Sequence, residues 1–143
     1  MSDDIPLLFR HRSRRVRRSE LRAFLSEAAA RIAPGREIVC LIADDRELRR
    51  LNREFRGADY ATDVLSFPSA QGGELAISLD RAMEQAREQG HAVDTELRIL
   101  ILHGLLHLAG LDHETDSGEM ARAEARWRKK FHLPGGLIER AHA

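Results

Sequence analysis

The residues best suited to chemistry lie in one segment, His103-Gly-Leu-Leu-His107-Leu-Ala-Gly110-Leu-Asp-His113. On a helix, residues four apart share a face, so the imidazoles of His103 and His107 can point at one ion. Gly110 then supplies a helix stop. It tolerates a positive φ, which turns the chain back so that His113 can reach the same ion. Three imidazoles leave a fourth tetrahedral position open, the arrangement of a catalytic rather than a structural zinc site. Water at such a position ionises near neutral pH and becomes a nucleophile. Three unpaired imidazoles in an otherwise apolar stretch are costly unless they share a partner. Nitrogen ligands suit zinc best, although nickel, copper and iron also accept them. The expectation is one zinc ion per chain, held by His103, His107 and His113.

The histidines need elements to hold them. Asp94 can cap a helix running to about Ala109, whose apolar residues lie nearly all round, so it should be central and buried. A last helix, from about Asp116 to Phe131, carries Met120, Ala123, Trp127 and Phe131 at core spacing. Upstream, Asp4 to Arg10 reads as a short strand that Pro6 favours at a sheet edge. Ser19 can cap a helix with Leu21, Phe24, Leu25, Ala28 and Ile32 on one face, ended by Pro34-Gly35. Ile38 to Ile42 reads as a buried strand. Asp44, with Glu47 three residues on, resembles a capping box opening a helix with Leu48, Leu51 and Phe55 on one face. Thr62 to Phe67 and Glu74 to Ser78 read as strands joined by a turn-rich stretch, and Asp80 can cap a helix that stops at Gly90. The pattern predicts an α+β fold, a single small mixed β-sheet with helices packed on it, as one domain over residues 1–143.

The histidine spacing, with its glycine, is that of the metzincin proteases, so the metal helix is metzincin-like. One letter departs. Position 104 is Gly, where those proteases carry the Glu that activates water. Losing such a general base removes a contribution on the order of 10²–10⁴-fold, so peptide hydrolysis by that route is not expected.

A second segment, Leu51-Asn52-Arg53-Glu54-Phe55-Arg56-Gly57-Ala58-Asp59-Tyr60-Ala61-Thr62-Asp63-Val64-Leu65-Ser66-Phe67-Pro68, precedes the histidines. Together the two segments closely resemble the YbeY family of bacterial endoribonucleases. Upstream the likeness rests on Leu51, Asn52, Phe55, Arg56, Asp59, Thr62, Asp63 and Val64 through Pro68. Downstream it rests on His103, Gly104, Leu106, His107, Leu108, Gly110, Asp112 and His113. Glu74, where the family usually has Asp, and Leu111, where an aromatic or His is common, depart from the pattern without touching a proposed ligand. The resemblance implies a zinc-dependent, single-strand-preferring ribonuclease. It further implies work on the 3′ end of 16S ribosomal RNA, on small ribosomal subunit maturation and on quality control, with ribosome-assembly proteins as possible partners. It also implies that Arg56 is the active-site arginine.

Phosphodiester cleavage places extra negative charge on phosphoryl oxygens, which a guanidinium can bind in a fork. That is the catalytic role expected of Arg56. Thr62 and Ser66 can donate to phosphate, and Asp112 can orient a histidine through its outer ring nitrogen. Each of these also has an ordinary structural use. Arg10, Arg12, Arg14, Arg15, Arg17 and Arg18 form the densest basic run, which can follow an RNA backbone or be a solvated face. The 23 basic residues balance 23 acidic ones, so global charge names no partner. Cys40, the single cysteine, cannot form an internal bridge, which fits a reducing compartment. With no signal-peptide pattern and no apolar run long enough for a bilayer, a cytoplasmic protein with no membrane association is expected. Two other functions fit the same letters: a metallopeptidase on a related scaffold, or a ribosome-assembly factor whose metal is mainly structural.

Overall fold

The computed structural model describes residues 6–11, 13, 16–135, 137 and 138. Among them, the chain order is β1 (Leu7–Arg10), α1 (Arg18–Ile32), β2 (Glu37–Ala43), α2 (Asp45–Arg56), β3 (Val64–Pro68), β4 (Gly72–Ser78), α3 (Leu79–Gln89), α4 (Val93–Leu108) and α5 (Glu119–Lys130). The strands form one sheet in the order β1-β2-β4-β3. β1, β2 and β4 are parallel, and β3 runs antiparallel against β4 as the edge strand. The α+β class and the mixed sheet are therefore as the sequence predicts.

Strand alternation divides the sheet into two faces. Ile38, Cys40 and Ile42 of β2, with Leu75 and Ile77 of β4, are buried in the main core, which includes residues of α1, α3 and α4. α4 packs on α1, α3, α5, β3 and β4, which explains why its apolar residues surround it. On the opposite face Leu65 and Ala76 meet Leu48 of α2, with Leu41, Leu51 and Phe67 packed around them. α2 and α4 thus lie on opposite faces, with the edge strand β3 between them. Cys40 is fully buried, and desolvation pushes its thiol up to about 12, the behaviour of an inert structural cysteine.

Several helix starts differ from the sequence expectation. α1 opens at Arg17-Arg18 with no side-chain cap, leaving Ser19 inside the helix. The cap of α3 is Ser78, whose Oγ accepts from the Arg81 N–H at 3.1 Å. Asp80 accepts instead from the Asp45 N–H and pairs with His11. α4 starts after Ala92, so Asp94 falls in its first turn, where an acid still favours the helix dipole. Asp44 does cap α2, accepting from the Glu47 N–H at 2.9 Å. Asp116 accepts from the Met120 and Gly118 N–H groups, which hold its carboxyl below the usual range, although the helix itself begins at Glu119. Asp4, the start of the expected first strand, lies outside the described residues, as do Arg12, Arg14 and Arg15 of the basic run. Of that run, Arg10 and Arg17 pair with Glu47 and Glu20, and Arg18 lies over the Phe9 ring. None of the described helices is long and apolar enough to cross a membrane.

Candidate active site

α4 ends in a Schellman motif. The Leu111 N–H donates to the Leu106 carbonyl and the Gly110 N–H to the His107 carbonyl. The motif needs a positive φ at its turning residue, and Gly110 has φ +100°. Beyond it the chain doubles back. Asp112 pins the return by accepting from the Glu114 N–H at 3.1 Å, with its carbonyl receiving the Thr115 and Asp116 N–H groups. Asp112 is therefore a turn former, and no hydrogen bond joins it to a histidine among the described residues.

The result is a triangle of imidazoles. Ring centroids are 4.9 Å apart for His103 and His107, 5.5 Å for His103 and His113, and 5.7 Å for His107 and His113. One nitrogen from each lies within 4.8 Å of the other two. His103 is buried and the other two are half-buried. Burial holds His107 below its ordinary value, and the neighbouring His103 and His113 lower it further. His113 Nδ1 is buried with no protein hydrogen-bond partner. Three imidazoles that each bring one nitrogen within 4.8 Å of the others fit a shared cation.

A carboxylate that sequence reasoning missed completes the arrangement. Glu124 on α5 is 1% exposed, and its Oε2 lies 2.8 Å from His103 Nδ1, while its Oε1 accepts from the Ile138 N–H at 2.9 Å. A carboxylate beside Nδ1 fixes the proton there and leaves Nε2 with its lone pair, the arrangement that favours metal ligation. The signal was present in the sequence. Glu124 sits in phase with Met120, Ala123 and Trp127 on the buried face of α5, where a lone acid needs a partner.

Gly104 proves to be a packing requirement. A Cβ there would lie 2.6 Å from Leu75 Cδ2 and 3.4 Å from Ser66 Oγ. α4 therefore lies so close to the sheet that any side chain at 104 must displace the buried Leu75. Ser66 is buried and its Oγ donates to the Gly104 carbonyl at 3.4 Å, a tie between strand and helix.

The histidines open onto a cleft of about 570 Å³, whose other wall is formed by Arg56, Thr62, Asp63, Val64, Ser66 and Pro68. Arg56 ends α2, where Gly57 closes the helix at φ +69°, and its side chain wraps the β3 edge to donate to the Ser66 carbonyl at 2.8 Å. Three of the four earlier arginines of α2 are paired locally: Arg49 with Asp59, Arg50 with Glu47 and Glu54, Arg53 with Asp59. Among the described residues Arg56 has no carboxylate partner, so its charge is available to the cleft.

The free edge of β3 is also partly occupied. Ser78 donates to Asp63 and Ser69 to Gly72, so residues 63, 65, 67 and 69 face β4, and 64, 66 and 68 turn their backbone groups outward. Of the outward groups, the Val64 N–H is taken by Asp63 Oδ1 at 2.8 Å and the Ser66 carbonyl by Arg56. Pro68 has no N–H. An incoming peptide strand finds a broken ladder.

Comparison with known proteins adds identity to this geometry. The profile of the family described as endoribonuclease YbeY matches residues 9–132. A protein named endoribonuclease YbeY from Solibacter usitatus is 53% identical over 137 residues, covering 94% of this chain and 93% of its own. One of the same name from Koribacter versatilis is 51% identical over 128 residues, covering 87% and 84%. Among solved structures, the solution structure of TM1509 from Thermotoga maritima aligns with a TM-score of 0.59 at 27% identity, covering 88% of this chain and 91% of that one.

Proposed function

Since the chain belongs to the endoribonuclease YbeY family, we propose that it is a zinc-dependent, single-strand-preferring endoribonuclease, with His103, His107 and His113 as metal ligands and Arg56 as the catalytic cation. The observation that carries this reading is the convergence of three imidazoles, one with an orphaned nitrogen, on a cleft whose facing wall holds an arginine without a carboxylate. A bound zinc ion would supply Lewis acidity and acidify a water.

The chain's own residues do the rest. Glu124 holds the His103 ring in one tautomer and orientation. Arg56, anchored by one Nη2 donor on Ser66, keeps its remaining N–H groups for the oxygens of a phosphodiester, where negative charge grows as the bond to the leaving oxygen breaks. Whether the nucleophile is water or the adjacent 2′-hydroxyl determines the products: a simple phosphate end in the first case, a cyclic one in the second. Mass spectrometry of the cleaved ends separates the two.

Peptide hydrolysis fits the site less well. Position 104 lacks the glutamate base, and the partly occupied β3 edge offers a peptide backbone fewer groups to pair with. For the biological substrate, family membership supports the 3′ end of 16S ribosomal RNA, within small ribosomal subunit maturation in the cytoplasm. A role as an assembly factor alone, with a structural metal, requires Arg56 to be dispensable.

The test is Arg56→Ala. Removing one transition-state donor costs roughly 10²–10³-fold in kcat, so its cleavage of a single-stranded RNA should fall by that factor while its metal content stays unchanged. Full activity in this variant would remove Arg56 from the mechanism. Cleavage of casein with RNA left intact would transfer the enzyme to the peptidase class.

A further inference from the structure

Phe55 lies on the apolar stripe of α2, yet it is 67% exposed. Its ring meets Phe67 edge to face, with centroids 5.7 Å apart. Both line an apolar groove of about 250 Å³ on the sheet face opposite α4, together with Leu8, Val39 and Leu41. The charged residue of that groove is Glu74, so the groove repels a phosphodiester backbone and suits a flat uncharged group. The groove and the histidine cleft share a wall. Phe55 and Phe67 line the groove, while their chain neighbours Arg56 and Pro68 line the cleft. Arg56 Cζ is 5.8 Å from the centre of the Phe67 ring. A phosphate held at Arg56 therefore has its adjoining nucleotide within reach of the two rings.

We propose that Phe55, backed by Phe67, is a stacking platform for an unpaired base next to the phosphate held at Arg56, and that this surface supplies the preference for single-stranded RNA. The inference rests on the ribonuclease reading of the cleft. An aromatic ring accepts any base face, but only a base free of its own helix can reach it. A duplex, with its bases already stacked, gains nothing there. An isolated exposed Phe would call for no explanation. This one is continuous with a groove and adjoins the phosphate-binding arginine.

Equilibrium binding to a single-stranded oligoribonucleotide carrying 2-aminopurine tests this without requiring cleavage. Stacking on one side chain is worth roughly 5- to 150-fold in affinity, so Phe55→Leu should weaken binding within that range, and Phe55→Trp should restore it. In cleavage assays Phe55→Leu should raise KM with little change in kcat. Its penalty should vanish when an abasic nucleotide, walked along the strand, occupies the stacked position. Wild-type binding by Phe55→Leu, or a penalty unchanged at every abasic position, overturns the proposal. A loss of self-association in Phe55→Leu with RNA affinity intact would do so too, assigning the face to a second copy. Absence of cleavage by wild type would instead count against the ribonuclease reading, and the binding arm would still report on Phe55.

Discussion

Glu124 shows how one buried side chain can support a metal site through the outer nitrogen of a histidine. It is not among the three histidines, yet it fixes the orientation of His103 and ties α5 and the Ile138 backbone to the same point. Replacing a carboxylate that supports a metal-binding histidine typically costs 10- to 100-fold in affinity. Glu124→Gln, which keeps an acceptor for Ile138, should therefore retain its fold by circular dichroism and lose zinc to a competing chelator about 10- to 100-fold more readily. Unchanged affinity would reduce Glu124 to a packing residue. His107 gives a second prediction. Its folded value is held below the unfolded value of roughly 6.5, so as pH falls the unfolded chain takes up this proton first. The stability that His107 contributes to metal-free protein is present above about pH 6.5 and lost as pH falls through the lowered folded value. Urea melts of metal-free wild type between pH 7.5 and 5 should show a decline that His107→Gln reduces. At residue scale the three histidines stood out by their spacing, whereas an arginine at a helix end is common and Arg56 stood out only through the family resemblance. Glu124 was hidden by distance in sequence, since its partner lies 21 residues away and only the packing of α5 on α4 brings them together.

The elements that hold the site make two demands on glycine. Gly110 has nothing within 4 Å of a built Cβ, so its need is purely conformational. Gly110→Ala should cost about 1–2 kcal/mol, the penalty for a left-handed L-residue, and should weaken zinc binding because His113 depends on that turn. Denaturant melts with and without zinc would measure both effects. Gly104 is limited by space instead. Gly104→Ala gains about 1 kcal/mol of helix propensity but must displace the buried Leu75, an overpacking worth roughly 1–3 kcal/mol. A modest net destabilisation is expected, and a stabilised variant would contradict the tight α4–sheet contact. Element types and order were readable from periodicity and turn residues. Helix starts were less so, because Ser, Asp and Asn occur both at caps and within first turns. Ser78 rather than Asp80 caps α3 because Asp80 is drawn to the Asp45 amide and His11, long-range partners that local spacing cannot reveal. Phe55 kept helical spacing with Leu48 and Leu51, yet its ring meets only the rim of the sheet face at Phe67 and stays 67% exposed.

At the scale of the whole molecule, the site follows from topology. β3 is one of the two sheet edges, α2 covers one face and α4 the other, and Arg56 at the end of α2 meets the histidines of α4 around the β3 edge. The strand order was not legible, because alternation gives each strand a buried face but does not say which neighbour it takes. A metal held by the three histidines would tie α4 to the returning loop, so ligand binding should stabilise the fold as a unit. At 100 times its Kd, zinc should add about 2.7 kcal/mol, visible as a rise in Tm that His103→Ala/His107→Ala lacks. The central claim is that one ion at the three histidines drives RNA cleavage. Its most direct test is the rate at which chelator-stripped protein cleaves a single-stranded RNA as zinc is titrated back. Activity should return at one equivalent per chain in wild type and stay absent in His103→Ala/His107→Ala. Undiminished cleavage by the stripped protein, or zinc-restored cleavage by the double variant, would contradict it.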